Sequence, residues 1–251
     1  WIDANNGFAV GYDGLMIKLT NGGANWTYVA TPSPYRFRDI EFPTPSIGFA
    51  AGDRGVVVKT VNGGTTWTML STGTTAEIMD IYFFSSQIGW AVTADGNILK
   101  TDNGGTTWTS QLDSKLGISL NSVYFTSSEV GYAVGNNGNI WFTTNGKTWS
   151  KRPVNGLSAK LNEVYFKNAT QGYAVGDGGV MVYTANAGAT WDFMSLGKTS
   201  NLFGMFFYGQ NEGYIVGAAG LTMKTVDGGA NWTAVDAATG YAIYDIYFAT
   251  P

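Results

Sequence analysis

Short apolar runs follow one another along the chain, and each ends in Gly, Pro, Asn or Ser. Residues 37–71 show the unit: FRDIEF (37–42), IGFAAG (47–52), GVVVKT (55–60) and TWTMLS (66–71). Aromatic and β-branched residues dominate these runs, so each reads as a strand bounded by turn residues. The first run recurs as DIYF at 80–83, SVYF at 122–125, EVYF at 163–166, GMFF at 204–207 and DIYF at 245–248. The second recurs as GFAVG, GWAVT, GYAVG, GYAVG and GYIVG, starting at Gly7, Gly89, Gly131, Gly172 and Gly213. Between second and third runs a two-residue turn such as Asp53-Arg54 or Asn136-Asn137 predicts a tight hairpin, so antiparallel meanders follow. No stretch holds apolar residues at helical spacing over a useful length, and essentially no helix is predicted.

Each meander carries one box, TVNGGTTW at 60–67, and near-copies end at Trp26, Trp67, Trp108, Trp149, Trp191 and Trp232. Those tryptophans lie 41, 41, 41, 42 and 41 residues apart, a period at which each repeat can be one four-stranded propeller blade. The expected fold is therefore all-β, a six-bladed β-propeller, with 1–251 as a single domain. The box turns the chain: an Asn side chain can hydrogen-bond its own backbone two residues on, and two glycines accept positive φ. The tryptophan then supplies a wide ring to plug the gap between neighbouring repeats, and truncating such a ring typically costs about 3–5 kcal/mol. A calcium loop would want several carboxylates at the turn. The slot reads Asn21, Asn62, Asn103, Asn145, Asn186 and Asp227, one carboxylate among six, so the box is read as structural and no metal is expected.

The ends of the chain bear on closure. Phe42, Phe83, Phe125, Phe166 and Phe207 each sit six residues before the glycine of the next run, Trp1 sits six before Gly7, and Phe248 shares that slot. The strand 243–248 is accordingly expected to complete the sheet begun by residues 7–31, since a closed sheet array leaves only short edges. A chain that starts on Trp1 rather than Met points to a removed leader or a longer parent, and to export to the periplasm, cell surface or medium.

Composition narrows the chemistry. Charged residues are 13% and glycine is 35 of 251, where typical domains hold roughly 25% charged residues and about 7% glycine; this is a turn-rich, well-buried β protein. A net charge of −4 argues against binding a phosphate backbone, which requires clustered Lys and Arg, so nucleic acid is not an expected partner. With no Cys and no His, disulfides, thiolate or imidazole metal ligands and His-based triads are excluded. No run of apolar residues is long enough for a membrane-spanning helix. No cofactor and no catalytic residue is indicated.

Residues shared by all six repeats are most simply structural, so candidate sites are sought where one repeat differs from its siblings. Glu41 stands where the others carry Tyr82, Tyr124, Tyr165, Phe206 and Tyr247, and Arg38 where they carry Met79, Asn121, Asn162, Phe203 and Tyr244. Strand order puts the 27–38 connection and the 53–54 turn on one face, so Tyr35, Arg36, Arg38 and Arg54 form a candidate anion- or partner-binding patch. The plain alternative pairs Arg38 with Asp39, Glu41 or Asp80, a surface interaction of about 0–1 kcal/mol. A second candidate is Lys151 and Arg152, with Lys160, on the connection after the fourth box. A third is the acidic inner-strand set Asp39, Asp80, Glu163 and Asp245, which either binds a cation or accepts backbone N–H bonds, as enclosed carboxylates must find donors. The longer loops after each box, carrying Tyr35, Lys115, Arg152, Lys198 and Tyr241, mark the face on which recognition is expected.

GYAVGDGG (172–179) combined with TVNGGTTW (60–67), repeated six times, resembles the photosystem II assembly and stability factor-like propellers. The box is also similar to the Asp-box repeats of bacterial sialidases, xyloglucanases and sortilins. The first resemblance implies a non-enzymatic, protein-binding ring, generally of seven blades with an arginine-rich patch; this chain has six repeats and four arginines, Arg36, Arg38, Arg54 and Arg152. The second implies, in sialidases, three arginines from different blades gripping a carboxylate. Here three of four crowd into one repeat, and FRDI (37–40) only echoes the family's FRIP. The reading is thus a non-catalytic binding or scaffold propeller with a protein partner; the alternative is a carbohydrate-binding module or relative of the Asp-box glycosidases.

Overall fold

The structure is a computed structural model, described here for residues 2–112 and 117–248; Trp1 and Lys115 lie outside the described residues. The fold class is the six-bladed β-propeller, built from six successive antiparallel meanders. Among the described residues the only helical elements are three-residue 3-10 turns. The second sheet runs Phe37–Glu41, Gly48–Gly52, Val57–Thr60 and Thr68–Leu70, and the third Ile78–Phe83, Gly89–Thr93, Ile98–Thr101 and Thr109–Leu112. The fourth to sixth sheets repeat that order, with inner strands Leu120–Phe125, Leu161–Phe166 and Leu202–Tyr208. The chain divides into two compact units, which part between Val123 and Tyr124.

In the first unit, the second sheet buries Ala50, Val58 and Trp67 toward Met16, Phe8 and Val10 of the first sheet. It buries Phe49, Ala51 and Val57 toward Ile81, Phe83 and Ala91 of the third. The alternation of each strand thus feeds two cores, one per face, which is why its residues are buried throughout rather than on one side. The second unit repeats this, with Tyr132, Val134 and Ile140 against Val164, Phe166 and Trp191, and Tyr173, Val175 and Met181 against Met205, Phe207 and Ile215.

The boxes fold as their composition requires. Thr60 Oγ1 accepts from Gly64 N (3.0 Å) and donates to Asn62 Oδ1 (2.9 Å), which accepts from Thr66 N (2.9 Å). The same bonds recur around Asn103, Asn186 and Asp227. The one-residue-shorter fourth box keeps the anchor, with Thr148 N donating to Asn145 Oδ1 at 2.9 Å.

Two expectations need correction. The turn after each second strand is not a two-residue hairpin: Asp53–Gly55 and Asn136–Gly138 form 3-10 turns, with Arg54 and Asn137 at φ 59° and 58°. The third residue is glycine because a Cβ on Gly55 would stand 2.1 Å from Thr74 O at φ +71°. The first box is a different turn. There Asn21 has φ 54° and the strands Met16–Thr20 and Asn25–Tyr28 pair up to Thr20 and Asn25.

Among the described residues the first sheet pairs Gly7–Val10, Met16–Thr20 and Asn25–Tyr28. Residues 243–248 lie along the sixth sheet, Ile243 N donating to Gly217 O (3.0 Å) and Phe248 packing 4.8 Å from Tyr214. Trp26 is 60% exposed, whereas Trp67 and Trp191 keep 7% each.

Candidate functional site

The candidate patch is assembled in the first unit by two loops, each pinned to a turn. Thr31 Oγ1 donates to Gly14 O (2.8 Å) and Ser33 Oγ accepts from Tyr35 N (3.1 Å), which holds 31–35 against the turn Tyr12–Gly14. Thr72 Oγ1 does the same for Gly55 O (2.8 Å) in the next repeat. Arg36 is then fixed by its own backbone: its carbonyl accepts from Asp53 N (2.9 Å), and the following residue, Phe37, donates to Gly11 O (2.9 Å).

So held, Arg36 lays its guanidinium over the Tyr12 ring, Cζ 4.2 Å from the centroid, and Arg54 covers the Tyr35 ring at 5.1 Å. Each such cation–π contact contributes about 0.5–1 kcal/mol at exposed sites, and it holds a long side chain extended while its outward N–H groups stay open to a ligand. Arg36 Nε is enclosed with no hydrogen-bond partner. Among the described residues neither Arg36 nor Arg54 has a carboxylate partner, while both tyrosines remain accessible, Tyr12 at 67% and Tyr35 at 39%. The arrangement suits a carboxylate flanked by apolar or aromatic groups, which Arg can meet with two parallel N–H bonds.

Arg38 does not belong to that open set, nor does it pair with Asp39, Glu41 or Asp80. Its Nε donates to Asp53 Oδ1 (2.9 Å) and its Nη2 meets Glu77 Oε2 (3.1 Å). A register shift between Phe37 and Asp39 makes Arg38 the extra residue of a bulge, and a bulged side chain is swung out of the strand's alternation, here toward the turn at Asp53. The same shift recurs at Asn162, whose Nδ2 donates to Asp177 Oδ1 (2.8 Å). Tyr12 was missed by sequence reasoning. It occupies the turn slot that holds Asp53, Asn136, Asp177 and Ala218 elsewhere, so comparison of repeats at that slot would have found it.

The acidic residues are acceptors for backbone amides of the following inner strand. Asp39 Oδ2 accepts from Ile81 N (3.1 Å), Asp80 Oδ2 from Val123 N (2.7 Å) and Glu163 Oε2 from Met205 N (2.8 Å). Glu41, the other departure, accepts from Phe83 N. Asp39 and Asp80 also share a side-chain hydrogen bond. Desolvation pushes all three first-unit carboxyls up, Glu41 and Asp80 well above their ordinary values. Asp245 is exposed and accepts from Ile246 N (2.7 Å). Among the described residues no group of three or more Asp or Glu is arranged to hold a metal ion.

In the second unit Lys151 and Lys160 are exposed, and Arg152 folds over Phe142 with Cζ 4.7 Å from the ring centroid. Its Nε is enclosed without a partner, as in Arg36. Glu41, Arg38 and the acidic set are thus committed to holding strands and turns, which leaves the stacked arginines as the groups free to recognise something.

The sequence profile of the photosynthesis system II assembly factor YCF48 family matches residues 24–117, 66–161, 110–199 and 155–241. The chain belongs to the YCF48 family. Two YCF48 structures share its fold. One, YCF48 bound to D1 peptide, aligns at 19% identity over 93% of this chain and 78% of that one, with a TM-score of 0.75. The other, from Cyanidioschyzon merolae, aligns at 20% identity over 96% and 84%, also with a TM-score of 0.75. The GH74 xyloglucanase from Xanthomonas campestris is similar at 13% identity and a TM-score of 0.72, covering 93% of this chain but 44% of the enzyme. No curated protein matches the chain by sequence.

Proposed function

We propose that this YCF48-family propeller is a non-catalytic, protein-binding domain that holds an acidic, extended segment of its partner on the patch formed by Tyr12, Tyr35, Arg36 and Arg54. The observation that carries the reading is the pair of arginines stacked on accessible tyrosines with no carboxylate of their own. The structure of YCF48 with a bound D1 peptide supports it, as a protein of the same family whose propeller takes a peptide. Export of the domain belongs to the same proposal.

Fluorescence anisotropy with a labelled Asp/Glu-rich peptide, its neutral Asn/Gln counterpart and a glycan panel tests it. The acidic peptide is expected to bind, to weaken with salt as exposed charges are screened, and to lose roughly tenfold or more in affinity in Arg36→Ala and Arg54→Ala. Equal binding of the neutral peptide, or unchanged affinity in both variants, refutes the reading. Binding to a glycan that Tyr12→Ala abolishes, or turnover of a xyloglucan oligosaccharide or a sialoside, would replace it by the carbohydrate alternative that the GH74 fold neighbour raises.

A further inference from the structure

Asn is followed by Gly seven times in this chain, at Asn6, Asn21, Asn62, Asn103, Asn137, Asn145 and Asn155. The pair is chemically labile in an open chain, because glycine has no Cβ to keep its backbone N from turning onto the Asn side-chain carbonyl carbon, Cγ. Folding restrains six of the seven. In the boxes both reacting groups are tied: Gly63 N donates to Ser46 O (2.9 Å), Gly104 N to Gln87 O (2.8 Å) and Gly146 N to Glu129 O (2.8 Å), while Asn62, Asn103 and Asn145 each donate Nδ2 to a threonine hydroxyl at 2.9 Å. At two turns Gly22 N donates to Asn5 O (3.1 Å) and Gly138 N to Ala159 O (2.8 Å). Asn6 gives its Nδ2 to both Asp3 carboxylate oxygens at 3.0 Å, and Gly7 begins a strand.

Asn155-Gly156 has none of these restraints. It forms the tip of the connection after the fourth box, where Leu157 N closes a turn on Val154 O (3.1 Å). Both residues are exposed, and among the described residues neither the Asn155 side chain nor Gly156 N makes a hydrogen bond. Gly156 has φ 80°, and a Cβ there would find only the Phe193 ring, 4.0 Å away. A loop tip whose backbone amide is unbonded samples more conformations than one anchored to a neighbouring segment.

We propose that Asn155 is a site of spontaneous deamidation in the folded protein, the Asn-Gly pair that folding leaves reactive. Gly156 N attacks Asn155 Cγ and a C–N bond forms. The Cγ–Nδ2 bond breaks, and the side-chain nitrogen leaves as ammonia, taking with it the proton that Gly156 N gives up. Water then opens the five-membered imide. Cleaving the bond from N to Cγ gives aspartate, and cleaving the bond from N to the backbone carbonyl carbon gives isoaspartate, in which the main chain runs through the former side chain. Either product places a carboxylate in the connection that carries Lys151, Arg152 and Lys160, so the positive charge of this connection falls.

Incubation of the whole chain in mildly alkaline buffer, followed by ion-exchange chromatography and peptide mapping, tests the proposal. Hydroxylamine, which cleaves the chain at the imide, gives a second reading. In the folded chain Asn155 is expected to react roughly tenfold or more faster than any other Asn-Gly pair, since the others must first give up a hydrogen bond or open a strand. In urea all seven should react at comparable rates. Asn155→Gln, whose longer side chain closes the ring far more slowly, should remove both the acidic species and the hydroxylamine fragment that ends at residue 155. Circular dichroism verifies that the variant is folded. A folded chain that accumulates no product at Asn155 overturns the proposal, and so does a product that maps first to another Asn-Gly pair, or an acidic species that persists in Asn155→Gln.

Discussion

Trp67 and Trp26 hold the same place in the repeat, and truncating them to alanine should have very different consequences. Trp67 keeps 7% of its surface and touches Phe8 and Phe42 edge to face at 6.1 and 5.9 Å; Trp26 keeps 60% and donates to Gly23 O. A tryptophan presents roughly 250 Å2, worth about 25 cal/mol per Å2 hidden. Allowing for the Cβ that alanine retains, Trp67→Ala should lose about 4–5 kcal/mol and Trp26→Ala about 1–2 kcal/mol. Urea unfolding followed by far-UV circular dichroism measures both. With a slope of about 3 kcal/mol/M, the midpoints should fall by roughly 1.5 M and 0.5 M. Equal losses would refute the reasoning, because they would mean that Trp26 is packed as its siblings are.

Other outcomes follow from the same geometry. The raised carboxyls of Asp39, Glu41 and Asp80 keep protons that the unfolded chain releases near pH 4, so their contribution to stability is complete below that pH and is lost as pH rises through the folded values. Asp80→Asn puts a neutral group in place of a carboxyl that burial raises well above its ordinary value and should flatten this decline, leaving the variant more stable than the parent at pH 8; a parallel decline in both proteins would contradict it. Asp227 works in the opposite sense, held down to about 2 first by the Asn231 backbone N–H, so a thermal-melt series should show its share vanishing only as pH drops from about 4 to about 2. Gly48→Ala forces a methyl onto the Phe42 ring and should destabilise by about 1–3 kcal/mol. Gly73→Ala, with φ +75° and open space, should lose only about 1–2 kcal/mol to left-handed strain, a difference that paired denaturant titrations resolve.

The amino-acid sequence by itself determined the repeat, the meander within it and the turn chemistry of five boxes. These depend on local groups: Thr60, Asn62 and Gly64 satisfy one another within a few residues, and strands of the GYAVG type are apolar on both faces because each faces a core. The family was legible for the same reason. The stacked arginines were legible in part, since Tyr35, Arg36 and Arg54 stand out from sibling repeats, but Tyr12 joins them only through the pinning of 31–35 to the turn beneath. Tertiary structure alone decided that Arg38 serves Asp53 and Glu77, because a bulge rather than strand alternation aims it. It also seated residues 243–248 against the sixth sheet, where Ile243 N donates to Gly217 O. A turn is set by neighbours in sequence, whereas the aim of a bulged side chain and the seat of a terminal segment depend on which sheet the rest of the chain brings beside them.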